Sequence, residues 1–143
     1  MKITNNLIPL LLVCFCIIGA ACHDNKKTAN AKKTMLIEKA LPEIKKQING
    51  KWKLVSGKNA SENCEYENTF ITFDGDNYIW TENGKDEPGS LNWRNADTGI
   101  GYKAYLMDAF YKTHPAFPLM INGDTLLLQD CSKTGYLYTL VRK

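Results

Sequence analysis

Apolar and polar positions alternate in short stretches over most of this chain. Lys51-Trp52-Lys53-Leu54-Val55 has the period of a strand with one buried face. Residues 69–73 and 78–81 are β-rich runs joined by Asp74-Gly75-Asp76-Asn77, a hairpin signal. Glu82-Asn83-Gly84-Lys85 marks the next turn, because Asn-Gly readily supplies positive φ. Residues 91–94 and 101–107 follow as strands. Residues 119–121 and 125–128 flank Asn122-Gly123-Asp124, a third hairpin, and Ser132-Lys133-Thr134-Gly135 turns the chain into a last strand over 136–142. The pattern predicts an all-β fold, an antiparallel up-and-down meander of about eight strands, in a sandwich or barrel. Two stretches break the alternation. Ile37, Leu41, Ile44 and Ile48 recur at helical spacing, so a helix is predicted over 35–48, kinked or started late by Pro42 and ended by Asn49-Gly50. Residues 7–18 are almost continuously apolar, broken only by Pro9.

That apolar run changes the picture of where the protein goes. Lys2 precedes it and Gly19-Ala20-Ala21 follows it, the three parts of a secretory signal over residues 1–21. The run is short of the roughly 20 residues a membrane span needs. A cysteine after small residues at its end resembles the bacterial lipobox. The resemblance implies cleavage between Ala21 and Cys22 and lipidation of Cys22. Gly19 stands where that motif prefers Leu, and small residues also suit ordinary secretory cleavage, so secretion without lipid is the alternative. The expected location is the bacterial cell envelope, lipid-anchored at the outer membrane or periplasmic face. Cys14 and Cys16 leave with the leader and Cys22 takes lipid. The remaining pair, Cys64 and Cys131, is expected to form one structural disulfide in an oxidising compartment.

Charge is uneven along the chain. Residues 22–34 carry no large apolar side chain and read as a flexible basic tether, with residues 35–143 as the domain. Residues 23–46 hold seven lysines against Asp24, Glu38 and Glu43, whereas residues 51–143 hold ten Lys/Arg against twelve Asp/Glu. The basic excess therefore belongs to the tether, where it suits acidic head groups. Nucleic acid is an unsuitable partner, since no basic cluster forms in the domain.

Asn49-Gly50-Lys51-Trp52, entering a first strand after a short helix, resembles the Gly-x-Trp opening of lipocalin-like (calycin) barrels. Asp124-Thr125-Leu126-Leu127-Leu128 and Gly135-Tyr136-Leu137-Tyr138-Thr139-Leu140-Val141-Arg142 look like the closing hairpin of small bacterial lipocalin-like lipoproteins. The resemblance covers most of residues 47–143 and implies a lipocalin-like barrel with a short N-terminal helix. It implies that Trp52 sits at the closed barrel end with a basic side chain across it, Arg142 or, as a weaker candidate, Arg94. The Thr-Asp-Tyr loop of lipocalins has no counterpart in the chain.

No catalytic set emerges. His114 is the single histidine of the domain and lacks sequence partners for a metal site or a general base. Asp74-Gly75-Asp76-Asn77 lacks the spacing and closing Glu of a calcium loop. The pairs Glu65/Glu67 and Asp86/Glu87 fall in polar loop or strand-edge contexts, and no serine has nucleophile-elbow surroundings. No enzyme, metal or cofactor is therefore expected. What stands out is aromatic content. The first functional reading is a small apolar ligand inside a barrel, lined by Trp80, Tyr102 and Tyr138. The alternative is a protein-interaction module, an envelope inhibitor or accessory subunit, acting through a face or the 108–118 loop with Phe110 and Phe117.

Overall fold

Pro42 decides where the helix begins. Proline is accepted in a first turn, where its missing N–H has no partner to lose. In the computed structural model, which describes residues 32–108, 114–133 and 135–143, Ala40 is extended and α1 runs Leu41–Ile48. Ile44 and Ile48 face the core and Glu43, Lys46 and Gln47 face outward. The helix is thus shorter than the 35–48 stripe suggests. Upstream, Lys33–Met35 form a strand, β1, so the first two of these residues belong to the sheet rather than to the expected tether. The leader, Cys22 and Phe110 lie outside the described residues.

The rest is antiparallel sheet. The further strands are β2 (Gly50–Lys58), β3 (Asn63–Glu65), β4 (Thr69–Asp74), β5 (Asn77–Glu82), β6 (Lys85–Ser90), β7 (Trp93–Asp97), β8 (Lys103–Met107), β9 (Ala116–Asn122), β10 (Thr125–Asp130) and β11 (Leu137–Arg142). They form an 11-stranded sheet with the path β6-β5-β4-β2-β11-β10-β9-β8-β7, β1 pairing with β9 and β3 with β2. Three strands were not legible as alternation. β6 is Lys-Asp-Glu-Pro-Gly-Ser, and β1 and β3 are three residues each, held by backbone pairing to stronger neighbours.

The expectation of a closed eight-stranded barrel is corrected. No ladder joins β6 to β7, the two ends of the path. Yet the chain passes from one to the other through Leu91-Asn92 alone. Three residue steps span at most about 11 Å, so the sheet rolls until its edges approach without closing. Lys85, Asp86, Glu87 and Pro88 make β6 a poor partner for a second ladder, since charges and proline blunt an edge.

Bulges set which residues point inward. Thr139 pairs with Ser56 but Leu140 pairs with Leu54, leaving Val55 as an extra residue in β2. The inward phase therefore moves from Trp52 and Leu54 to Gly57, and Val55 is exposed. Above the bulge β2 pairs with β3, below it with β4. Leu119 is the corresponding extra residue in β9, beside Pro118, which has no N–H for a ladder.

The inner face is filled by side chains. Trp52, Leu54, Ile71, Phe73, Leu126, Leu128 and Leu140 are at most 1% exposed, and Tyr78, Trp80 and Tyr138 complete the same cluster under Ile44 and Ile48 of α1. Ala104, Leu106 and Phe117 form a second cluster with Ile37, Tyr102 and Leu119. Their strand neighbours Tyr105, Met107 and Ala116 belong to the main core. Alternation therefore puts the second cluster on the opposite face of β8 and β9.

Candidate functional site

One end of the rolled sheet is built around the carbonyls of α1. A helix leaves its last carbonyl groups without partners. Here the Trp52 indole Nε1 donates to the Ile48 carbonyl at 2.7 Å. The Arg142 guanidinium donates to the carbonyls of Asn49 (3.0 Å) and Gln47 (2.9 Å), and its carbon lies 4.1 Å from the Trp52 ring centroid. A cation at a helix C-terminus is also favoured by the helix dipole. Gly50 makes this arrangement sterically open: its φ is +108°, and a Cβ there would come within 3.3 Å of Arg142 Nη1. The sequence thus brings Gly50, Trp52 and Arg142 together at one point. Arg94 is elsewhere, on β7, ion-paired with Asp108 at 2.5 Å.

The opposite end is built from tyrosines and carboxylates. Asp130 is buried, and its Oδ1 accepts from the backbone N–H groups of Ser132 (3.1 Å) and Tyr136 (2.9 Å) and from the Ser132 hydroxyl (2.8 Å). That network fixes the turn into β11 and aims Tyr136. The Tyr136 ring stacks on Tyr138 at 5.9 Å and 18°. Its hydroxyl donates to the Glu62 carboxylate, which is held by an Asn59 turn whose Oδ1 accepts from Ser61 N and Glu62 N. Tyr138 and Tyr66 lie over Gly57, where a Cβ would be 2.9 Å from Tyr138 Cδ1. Sequence reasoning missed Gly57, whose signal was a strand glycine opposite an aromatic.

The phenols at this end hold their protons. The hydrogen bond to Glu62, then burial, raises Tyr136 to about 12. Burial first, then Asp130 and neighbouring tyrosines, raises Tyr138 further. Burial, then Cys64 and Glu82, raises Tyr66. Neutral phenols donate hydrogen bonds and do not serve as bases near neutral pH. Beside them an open groove of about 610 Å³ runs along the outside of β2, lined by Lys53, Val55, Ser56, Asn63, Glu65, Tyr66, Glu67 and Asn68. No group of three or more potential metal ligands occurs among the described residues.

The nominal lining set does not converge. Trp80 and Tyr138 are buried in the main core, whereas Tyr102 lies on the other face, its ring edge-on to Phe117 at 5.9 Å. Phe117, assigned to an interaction loop, is a fully buried residue of β9. The expected disulfide is also corrected: Cys64 and Cys131 are free thiols. Cys64 is on β3, and Cys131 follows β10, with β2 and β11 between them. Three strand spacings amount to roughly 14 Å, beyond the roughly 7 Å Cα separation that a disulfide bridges. Cys131 packs instead against the second cluster. With the geometry described, comparison with protein-family models, curated proteins and solved structures finds no match to this chain.

Proposed function

We propose that this chain is a lipid-anchored protein of the bacterial cell envelope whose domain is a non-catalytic interaction module, an opened relative of the calycin barrels. The observation that carries this reading is the filled interior: the positions that would surround a ligand are occupied by Trp52, Phe73, Leu54, Leu126, Leu128 and Leu140. A small rolled sheet fills with its own side chains, which displaces the small-apolar-ligand reading and moves recognition to the outside. The groove along β2 is the favoured surface. Glu65, Glu67 and the nearby Glu62 offer negative charge, and Tyr66 and Tyr136 offer amphipathic aromatic area, a combination suited to a Lys/Arg-rich segment of a partner protein.

The test sets two probes against each other. A fluorescent Lys/Arg-rich peptide is expected to bind saturably, more weakly at high salt, and to lose binding in Glu65→Gln with Glu67→Gln. An environment-sensitive apolar dye is expected not to bind saturably. Saturable dye binding that weakens in Trp80→Ala would place a ligand inside and overturn the proposal.

A further inference from the structure

The hairpin between β7 and β8 carries a residue that neither packing nor turn chemistry asks for. Ile100 is 59% exposed, the most exposed large apolar side chain among the described residues. It sits between Gly99 (φ +78°) and Gly101 (φ +99°). Turn tips favour Gly, Asn, Asp and Ser for their backbone preferences, so a β-branched apolar residue is unexpected there. The loop is closed beneath it. Thr98 N and Oγ1 both donate to the Tyr102 carbonyl, at 3.0 and 2.8 Å, and Asp97 Oδ1 accepts from Gly99 N at 2.8 Å. Thr98 is buried and Tyr102 is wedged on Phe117, so the tip is presented by a braced base.

One exposed isoleucine is ordinary by itself; its position gives it meaning. Lys33 of β1 pairs with Asn122 of β9, so the described residues begin at the Asn122 end of the domain. Asn122 also pairs with Thr125, and Thr125 with Val141, next to Arg142 and the end of α1. β8 runs antiparallel to β9 with Met107 opposite Ala116, so its Lys103 end, and the Ile100 tip beyond it, point the same way as Asn122. Lys33, Lys46, Lys103 and Lys143 are exposed at this end, and none forms an ion pair among the described residues. Glu43 and Asp76 there are paired with Lys39 and Lys45, leaving Asp74, Asp97 and Asp124 among the opposing charges. Glu62, Glu65 and Glu67 lie at the far end. Ten residues of chain, 23–32, with Lys26, Lys27 and Lys32 among them, separate the cysteine from β1.

We infer that the end of the domain carrying Ile100, Lys33, Lys46, Lys103 and Lys143 docks on an anionic bilayer, with Ile100 entering the head-group boundary. This rests on the lipid-anchor reading of Cys22. A single apolar tip binds lipid weakly, but an acyl anchor supplies proximity and basic residues add attraction to acidic head groups. The docked domain then turns the Glu65–Tyr66 groove away from the membrane, toward a partner.

The experiment uses the full lipidated protein in vesicles. An environment-sensitive dye is placed on Ile100→Cys or, as the control, Glu65→Cys, each with Cys64→Ser and Cys131→Ser. On phosphatidylglycerol-containing vesicles the dye at 100 is expected to shift to the blue and be quenched by bilayer-borne quenchers, while the dye at 65 stays aqueous. Neutral phosphatidylcholine vesicles, about 1 M salt, or Lys33→Glu with Lys46→Glu and Lys143→Glu are expected to weaken the signal roughly tenfold or more. A dye at 100 that stays aqueous, dyes at both positions responding alike, or shielding at 100 without lipid, as by a second copy, would each overturn the docking. Acyl mass is measured on the same sample. Acylated protein with an aqueous dye at 100 would sink the docking and leave the anchor standing. Unacylated protein whose dye at 100 still enters anionic vesicles would do the reverse.

Discussion

Replacing Arg142 with alanine removes the cap from α1 and the cover from Trp52 in one step. The guanidinium makes two charge-assisted bonds to backbone carbonyls, at 3.0 and 2.9 Å, and stacks 4.1 Å from the indole centroid. Hydrogen bonds to charged groups contribute about 1.5–3 kcal/mol each in general. Arg142 is exposed, so the lower end applies and water takes over part of the loss. An exposed cation–π contact adds about 0.5–1 kcal/mol. The expected cost of Arg142→Ala is therefore about 2–3 kcal/mol. In a domain of this size that lowers Tm by on the order of 10 °C. Arg142→Lys keeps the charge but not the planar fork and should recover less than half. Trp52→Ala should cost about 3–5 kcal/mol as a large-to-small change at a fully buried site. Urea unfolding of the two single variants and the double variant closes a cycle, and because the side chains touch, the costs should not add. Arg142→Ala costing less than about 0.5 kcal/mol, or additivity within about 0.5 kcal/mol, would refute the idea that Arg142, Trp52 and the helix end act as one unit.

Cys22→Ser should move the protein from the membrane fraction to the soluble one; persistent pelleting, with no acyl mass on the unsubstituted protein, refutes the anchor. Exposed Cys64 should react quickly with a thiol reagent and Cys131 slowly, because burial first, and then the Asp130 carboxylate, raises the Cys131 pKa; a linked peptide pair in a non-reduced digest would contradict this. Gly89→Ala drives a Cβ into the ring of buried Tyr78 at Cζ and should cost about 1–3 kcal/mol in urea unfolding; a neutral result would show that Tyr78 moves freely. Tyr66, Tyr136 and Tyr138 have folded pKa values above the unfolded value of 10.0, so the stability they contribute is present below that pH and is lost as pH rises through the folded values, about 12 for Tyr136. Glu62→Gln should bring Tyr136 down toward 10; phenolate absorbance showing every tyrosine titrating together in the unsubstituted protein would refute the cluster.

Strands with one buried face were legible because burial writes itself into alternation: Trp52 and Leu54, Ile71 and Phe73, Tyr78 and Trp80, Leu126 and Leu128 all face inward. What alternation does not encode is pairing that depends on backbone alone. β6 carries charges, proline and glycine because it is an edge, and β1 is held by Thr34 opposite Ile121 rather than by its own apolar content. Closure was illegible for the same reason. Whether β6 meets β7 depends on hydrogen-bond vacancies at two polar edges, and hydrophobic pattern says nothing about those.

The sites divide along the same line. Gly50, Trp52 and Arg142 were readable only through the resemblance to a Gly-x-Trp opening; the structure gives the physical reason, a positive-φ glycine, a buried indole and a fork of donors meeting at one helix end. Trp80, Tyr102 and Tyr138 were grouped from strand faces, but alternation does not fix the face of a residue that precedes its strand, as Tyr102 does. β8 turns Tyr105 and Met107 inward, and the loop before it leaves Tyr102 against Phe117 on the other face. Cysteine counting failed through distance: an oxidising compartment would favour a pair, but two intervening strands keep Cys64 from Cys131. A polar rolled sheet with a full interior leaves recognition to its ends. One end here gathers lysines, Ile100 and the exit toward Cys22. The other gathers glutamates and protonated phenols. The proposed role of an anchored adaptor needs that division, because a surface that meets a bilayer must not be the surface that meets a partner.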